Sequence, residues 1–466
     1  MDRSHRDHLT DNGLIALSCV ELAAEIREKR TTCVAVMEAV LERARAVQPR
    51  LNCFLRIDAE SALAAAQLAD RDLARGYVRG PLHGVPMAHK DMYYRRGVVS
   101  SCGSKILRDV RASGTAKVLE YLDAAGAIQF GVLNMAEFAM GPTGHNWHYG
   151  HCRNPWDTER ITGGSSSGSG AAVAARAAFA SLGSDTGGSV RFPAAFCGIS
   201  SVRPTHGLVS VENILPLCPS LDTVGPLART VEDAALVLQV IAQTEWMREL
   251  EKPIANLRIG RPRQIFYDGC DAEIAAAMEA SLDVFRRLGA AVVDVDVPDF
   301  SRLSALAAAL HAAEANPFHD QWFRTRPQDY SPQVRERLGK GRSVLALDYV
   351  KALQARQPAI DAFCDAVFSK VDLVHGPVVS FQTPTLAETE ITVGDAVTQM
   401  MGRFVRLTRP ISYLGLPVVC ANAGRTKAGM PIGMQLIAPP RDEASALRAG
   451  HAFQRATDWH LRAPPL

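Results

Sequence analysis

Residues 161–204 read ITGGSSSGSGAAVAARAAFASLGSDTGGSVRFPAAFCGISSVRP, and no other stretch constrains the chain as much. Two Gly/Ser clusters, GGSSSG at 163–168 and DTGGS at 185–189, flank a run of small apolar side chains at 171–182. An alanine-rich run favours helix and packs tightly, so this segment reads as a helix passing into a strand. Glycine tolerates positive φ and lets backbone approach backbone or a ligand closely. Serine adds hydroxyls and little bulk. Two such clusters on either side of a buried segment describe a site in which backbone aims a hydroxyl.

Other uses of Gly/Ser-rich sequence fit less well. Flexible linkers are polar and repetitive, whereas this stretch leads into an apolar run and then Arg191, Phe192 and Pro193. A phosphate-cradling loop needs Lys-Ser or Lys-Thr after its glycines, and a dinucleotide fingerprint needs G-x-G-x-x-G. Neither pattern is present. Two serine nucleophiles remain. Residues 164–168 (GSSSG) match the G-x-S-x-G nucleophile elbow, which would make Ser166 the nucleophile with a later Asp and His. That five-residue pattern arises cheaply inside a Gly/Ser cluster. The alternative takes both clusters together.

Taken together, they resemble the amidase signature family. Its members carry a GGSSGG-like cluster, then G-(S/T)-D-x-G-G-S-(I/V)-R, then a Cys-Gly run ending in Lys/Arg-Pro-Thr. Here these read GGSSSG, GSDTGGSVR and CGISSVRPT. An upstream G-(I/V)-P-x-x-x-K-D segment has its counterpart in GVPMAHKD at 84–91. The 24-residue separation of Ser165 from Ser189 (189 − 165) is also that of the family. The resemblance implies Ser189 as nucleophile, Ser165 on a cis peptide bond as proton relay, and Lys90 as base. It implies an oxyanion hole from the N–H groups of Thr186, Gly187, Gly188 and Ser189. These roles are chemically coherent, because a serine hydroxyl needs a neighbour to take its proton and lysine can do so only when neutral, hence desolvated. Asp185 and Arg191 read as supports of the loop. Ser167 stands where the family usually has glycine, and Ser201-Val202-Arg203 where Gly-Leu-Lys is more usual; neither change blocks the chemistry.

The resemblance also implies the fold. It is an α/β single domain over residues 1–466, with a large mixed sheet covered by helices on both faces. The signature core spans about 80–230, a variable helical region about 250–370, and C-terminal core strands about 371–466. The implied activity is hydrolysis of a small-molecule amide without cofactor or metal. One rival is the ammonia-releasing subunit of a tRNA-dependent amidotransferase, although there the nucleophile segment commonly continues Arg-Gln-Pro rather than Arg191-Phe192-Pro193. A second is a serine esterase using Ser166. A third is a binding protein of this fold without turnover.

The rest of the chain supplies the surroundings. Ser18-x-x-Glu21 is a capping box, and apolar spacing predicts two tandem helices over 18–48, broken near Thr31 and Thr32. A helix follows at about 59–75, then the strand carrying Lys90. The segment 134–141 resembles a family loop lying over the catalytic residues, which makes Met140 and Gly141 the substrate-lining candidates. His89 would touch substrate or serve structure. Residues 143–149 would line the acyl pocket or simply pack. His145, His148 and His151 recur at i, i+3, i+6 in a Gly/Trp/Tyr loop, which is not a usual zinc spacing, so no metal is expected. Thr230 would cap a helix to about 242, and 411–417 and 429–437 read as core strands. Composition narrows the partners. With 47% hydrophobic and 21% charged residues the chain reads as globular, and a formal charge of +2 leaves no nucleic-acid footprint. No secretory leader and no apolar run of spanning length is apparent. Ten scattered cysteines without a C-x-x-C pair read as reduced thiols of a cytoplasmic protein. No membrane contact is expected, and a homo-oligomer stays open.

Overall fold

In the computed structural model, residues 11–391 and 393–466 are described. The N-terminal stretch expected to carry no leader begins outside them. Eleven strands run in chain order: β1 (Phe54–Ile57), β2 (Pro86–Lys90), β3 (Ile128–Leu133), β4 (Ala180–Asp185), β5 (Ser200–Arg203), β6 (Thr223–Ala228), β7 (Arg258–Arg261), β8 (Ala291–Asp294), β9 (Leu373–Pro377), β10 (Val418–Arg425) and β11 (Pro431–Ile437). They form one sheet in the order β1-β3-β2-β4-β6-β5-β10-β11-β9-β7-β8. The sheet is mixed. β2 runs parallel to β3 and β4, and β7 parallel to β8 and β9. The β4–β6–β5–β10–β11–β9 run is antiparallel throughout.

Every residue of β2, β4, β5, β6, β9 and β11 is buried. Successive side chains of a strand point to opposite faces, so strands buried at every position are covered on both. The fold is therefore the expected α/β sheet with helices on both faces. Local chemistry sets the helix starts. Ser18 accepts from the Glu21 N–H at 3.1 Å while Glu21 returns a bond to the Ser18 N–H at 2.7 Å, a reciprocal capping box before helix Cys19–Arg27. Thr32 and Thr230 cap Cys33–Leu51 and Val231–Ala242 through their side-chain oxygens.

The signature forms helix Ser167–Ala174 followed by β4, with helix Arg191–Cys197 beyond. Glycine inside a helix costs about 1 kcal/mol relative to alanine. At Gly168 the cost is unavoidable, because a Cβ there would lie 2.3 Å from the Cys53 carbonyl oxygen and 2.6 Å from the Asn134 nitrogen. The helix thus lies in backbone contact with the segments leading into β1 and out of β3.

One reading is corrected. Residues 411–417 are not a strand. Helix Arg409–Leu414 occupies most of them and ends at Gly415 in the left-handed region (φ 68°), and β10 begins only at Val418. A short, wholly buried apolar run carries no amphipathic period, so spacing alone cannot separate helix from strand.

Candidate active site

β2 carries Lys90 at its last position, fully buried. Its Nζ donates to Ser165 Oγ at 2.6 Å and to Ser184 Oγ at 2.8 Å. Burial pushes the Lys90 ammonium down from 10.5 to about 7, while the Asp222 and Asp185 carboxylates pull the other way. A lysine in this position is neutral about half the time at pH 7 and can accept a proton. Ser165 is buried, and the peptide bond between Gly164 and Ser165 is cis. The segment after β3 clamps this turn. The Ser165 carbonyl accepts from the Ala136 N–H at 3.1 Å, and the Gly164 N–H donates to the Pro142 carbonyl at 2.6 Å.

Ser189 lies in the loop between β4 and helix Arg191–Cys197. Its hydroxyl has no hydrogen-bond partner among the described residues. Its carbonyl accepts from the Ser166 N–H at 3.4 Å. Asp185 braces the loop from beneath. Its carboxylate accepts from the Gly188 N–H (2.9 Å), the Val190 N–H (3.3 Å), Arg191 Nε and Nη2 (both 3.0 Å) and Arg203 Nη1 (2.9 Å). Burial alone would raise the Asp185 carboxyl, but the two guanidiniums outweigh it and hold the group well below the usual carboxylate range. Thr186 is tied by Oγ1 to Asp222 Oδ1 (2.5 Å), and the Gly187 carbonyl accepts from Thr408 Oγ1 (2.6 Å). Gly188 has φ of +132°, and a Cβ there would sit 2.5 Å from the Phe192 ring. Only glycine fits both conditions.

Of the four N–H groups expected to bind an oxyanion, that of Gly188 is therefore already committed to Asp185. Those of Thr186, Gly187 and Ser189 have no acceptor among the described residues. These three residues line a cavity of about 40 Å³ together with Ala139, Gly141, Pro142, Phe192, His311, Arg337 and Arg409. Gly141 is one of its lining residues. Met140 is buried and is not among the lining residues, whereas its neighbours Ala139 and Pro142 are. Ser166 lies outside the cavity, fully buried, its hydroxyl directed at the Ser184 carbonyl (3.4 Å). His89, one residue before Lys90 in the strand, points to the other face, where its Nδ1 lies 3.1 Å from Gln129 Oε1 and it borders a separate cleft of about 770 Å³. None of Lys90, Ser165 and Ser189 lines that cleft.

The histidine loop packs. His145 bonds Thr389, His148 bonds Glu137, and His151 meets the Asn146 backbone. Among the described residues no group of three or more His, Cys, Asp or Glu is placed to hold a metal ion. No described helix is long and apolar enough to cross a membrane.

Sequence reasoning misses Ser184, Asp222, Thr408, His311, Arg337 and Arg409. Ser184 sits inside the GSDTGGSVR segment, where its place in the motif could have marked it. The others come from distant segments with no local pattern. Arg203 reads from sequence only as a departure from the usual lysine, yet it is a direct partner of Asp185.

Comparison with known proteins places the chain in a family. A family model described as Amidase matches residues 35–447. A Glutamyl-tRNA(Gln) amidotransferase subunit from Methylobacillus flagellatus is 34% identical, over 97% of this chain and 99% of its own length. A chain solved as part of a vestigial protein complex, described as revealing the evolutionary origins of an s-triazine catabolic enzyme, is 36% identical. It superposes with a TM-score of 0.86 over 94% of this chain and 98% of that one. A crystal structure described as an amidase is 33% identical, with a TM-score of 0.87 over 94% and 99% of the two chains. By sequence model, by full-length relatives and by fold, the chain belongs to the amidase family.

Proposed function

We propose that this chain breaks the C–N bond of a carboxylic amide through a covalent acyl-enzyme on Ser189. One observation carries the reading. A buried amine whose pKa lies near 7 sits 2.6 Å from Ser165 Oγ, beside the loop that presents Ser189 to the cavity. Ser189 Oγ attacks the carbonyl carbon, its proton passes to Ser165, and the Ser165 proton passes to neutral Lys90. The carbonyl oxygen takes the negative charge and is met by the N–H groups of Thr186, Gly187 and Ser189. Gly188 acts differently, since its N–H holds the loop to Asp185. The C–N bond then breaks, and the departing nitrogen takes the proton back from Lys90 through Ser165. Water attacks the acyl-enzyme by the same relay and releases the carboxylic acid.

The test is to treat the purified chain with a fluorophosphonate and locate the label by mass spectrometry. Label on Ser189, lost in Lys90→Ala, is the expected result. Label on Ser166 that survives Lys90→Ala would restore the esterase reading, and no label would remove the nucleophile.

A second reading concerns the fate of the nitrogen. Near-full-length identity to proteins named as amidotransferase subunits favours delivery of the released ammonia to an acceptor on tRNA through a partner protein. The neighbour solved within a protein complex also favours a partner chain. The chemistry at Ser189 is common to both fates. With a net charge of +2, tRNA contact would fall mainly to the partner. A stoichiometric protein recovered with the tagged chain, and ammonia release that needs it, would establish delivery. Full turnover of small amides by the chain alone would establish plain hydrolysis.

A further inference from the structure

A second concavity lies behind Lys90. His89 and Asp91 flank the lysine in sequence, and both line the cleft of about 770 Å³, a size typical of small-molecule sites. Strands β1, β3 and β2 contribute Arg56, Gln129, Val132 and His89, and helix Ala59–Ala74 contributes Ser61 and Ala65. A further wall comes from the segment between Arg95 and Arg111, which is closed on itself by a bridge between Val99 and Arg111. Two polar groups here are unspent. Burial pushes the His89 imidazolium down to about 4, so the ring is neutral at pH 7 and has one donor and one acceptor nitrogen. Nδ1 meets Gln129 Oε1 at 3.1 Å, and Nε2 has no partner among the described residues. Gln129 Nε2 is buried without a partner, and turning the amide over would leave its oxygen unpaired instead. Buried polar atoms are paired in the great majority of cases. A ligand that offers both a donor and an acceptor completes this pair.

The same cleft is rich in guanidinium donors. Arg56, Arg79, Arg95 and Arg111 line it, against Asp58, Asp91 and Asp123. Asp58 holds Arg56 through Nε, and Asp123 holds Arg95 through Nη1 and Nη2. Asp91 is turned to the N–H groups of Ser101 and Gly103. Arg79 is held by Asp72, which does not line the cleft. Arg111 has no ion pair among the described residues, and its one side-chain bond runs from Nη1 to the Gly97 carbonyl (2.7 Å). Arg56 Nη2, Arg79 Nη1, Arg95 Nε, and Arg111 Nε and Nη2 therefore donate to no protein acceptor among the described residues. Guanidinium forks match the oxygens of a phosphate. The lining also has an apolar part, formed by Tyr93, Val98, Val99 and Val132. Tyr93 spends its hydroxyl on the Gly183 carbonyl (2.7 Å) and stands edge to face with His89 (5.9 Å, 82°), so it offers ring surface only. We propose that this cleft binds a mononucleotide, with the base edge on His89 and Gln129 and the phosphate on the arginines, Arg111 foremost. The site is separate from Ser189 and does not depend on the reaction proposed there.

Calorimetric titration of the full chain with AMP, adenosine and inorganic pyrophosphate tests the site. AMP should bind saturably, one molecule per chain. Adenosine and pyrophosphate each keep only part of the contacts and should bind at least tenfold more weakly. Arg111→Met, at an exposed position, should weaken AMP binding at least tenfold and leave adenosine unchanged. Gln129→Leu should weaken AMP and adenosine alike and leave pyrophosphate unchanged. Misfolding would not produce this crossed pattern. Ser189→Ala should bind AMP as the wild type does, which separates the cleft from the cavity beside the nucleophile loop. No saturable binding of AMP at millimolar concentration overturns the proposal. So does pyrophosphate binding as tight as that of AMP, which would make the arginines a general anion sink. AMP binding left intact in either variant overturns it as well, because the nucleotide would then lie elsewhere or in another orientation.

Discussion

The proposed base, Lys90, must be neutral to act, so the pH dependence of Ser189 reactivity tests the site most directly. An ordinary lysine at 10.5 would be neutral about once in 3,000 molecules at pH 7, whereas Lys90 near 7 is neutral about half the time. Burial of this one amine therefore raises the working fraction by about three orders of magnitude. The rate of labelling, and kcat/KM for any amide found to be a substrate, should rise about tenfold from pH 6 to pH 8 and level off above. The sign can be checked with a second perturbation. The Asp222 carboxylate favours the ammonium form, so Asp222→Asn should move the inflection to lower pH. At pH 6 the variant should then retain a larger share of its own plateau rate than the wild type does. A profile that keeps climbing through pH 9, or an inflection that moves upward in Asp222→Asn, would refute the argument that desolvation sets the base.

Three further outcomes follow from the same geometry. Asp185→Asn leaves Arg191 and Arg203 buried without their shared carboxylate, and should cost about 3–5 kcal/mol in urea unfolding at pH 7. The Asp185 carboxyl is depressed in the fold, so its contribution is complete above about pH 4 and is lost only as pH falls through the folded value; the gap between wild type and variant should be flat from pH 5 to 8. Gly188→Ala places a Cβ 2.5 Å from the Phe192 ring at a φ few side chains adopt, and should slow Ser189 labelling at least tenfold while the protein still unfolds cooperatively. Ser166→Ala removes a buried hydroxyl with one long bond to the Ser184 carbonyl, and should leave labelling within a few-fold of wild type by gel-based kinetics.

What the sequence determines here is chiefly what contiguous residues decide. Capping boxes, the helix-to-strand passage after GGSSSG and the glycine at 188 depend on neighbours within a few positions, so residue type and spacing expose them. Lys90, Ser165 and Ser189 stand out because each sits inside a short segment of unusual composition. The helix at Arg409–Leu414 escaped, because buried apolar residues carry no period that separates helix from strand. Tertiary structure decided the rest. It set Ser184 of β4 against Lys90 of β2, brought Arg203 beneath Asp185, and placed Ala139 and Pro142, but not Met140, along the cavity. It also joined Arg337 to Arg409 across 72 residues of chain (409 − 337). Desolvation and Coulomb energy are sums over whatever lies nearby in space, and sequence separation does not enter them. Lys90 could be picked out from the chain, but the burial that moves its amine toward the neutral form exists only once the sheet has assembled around it.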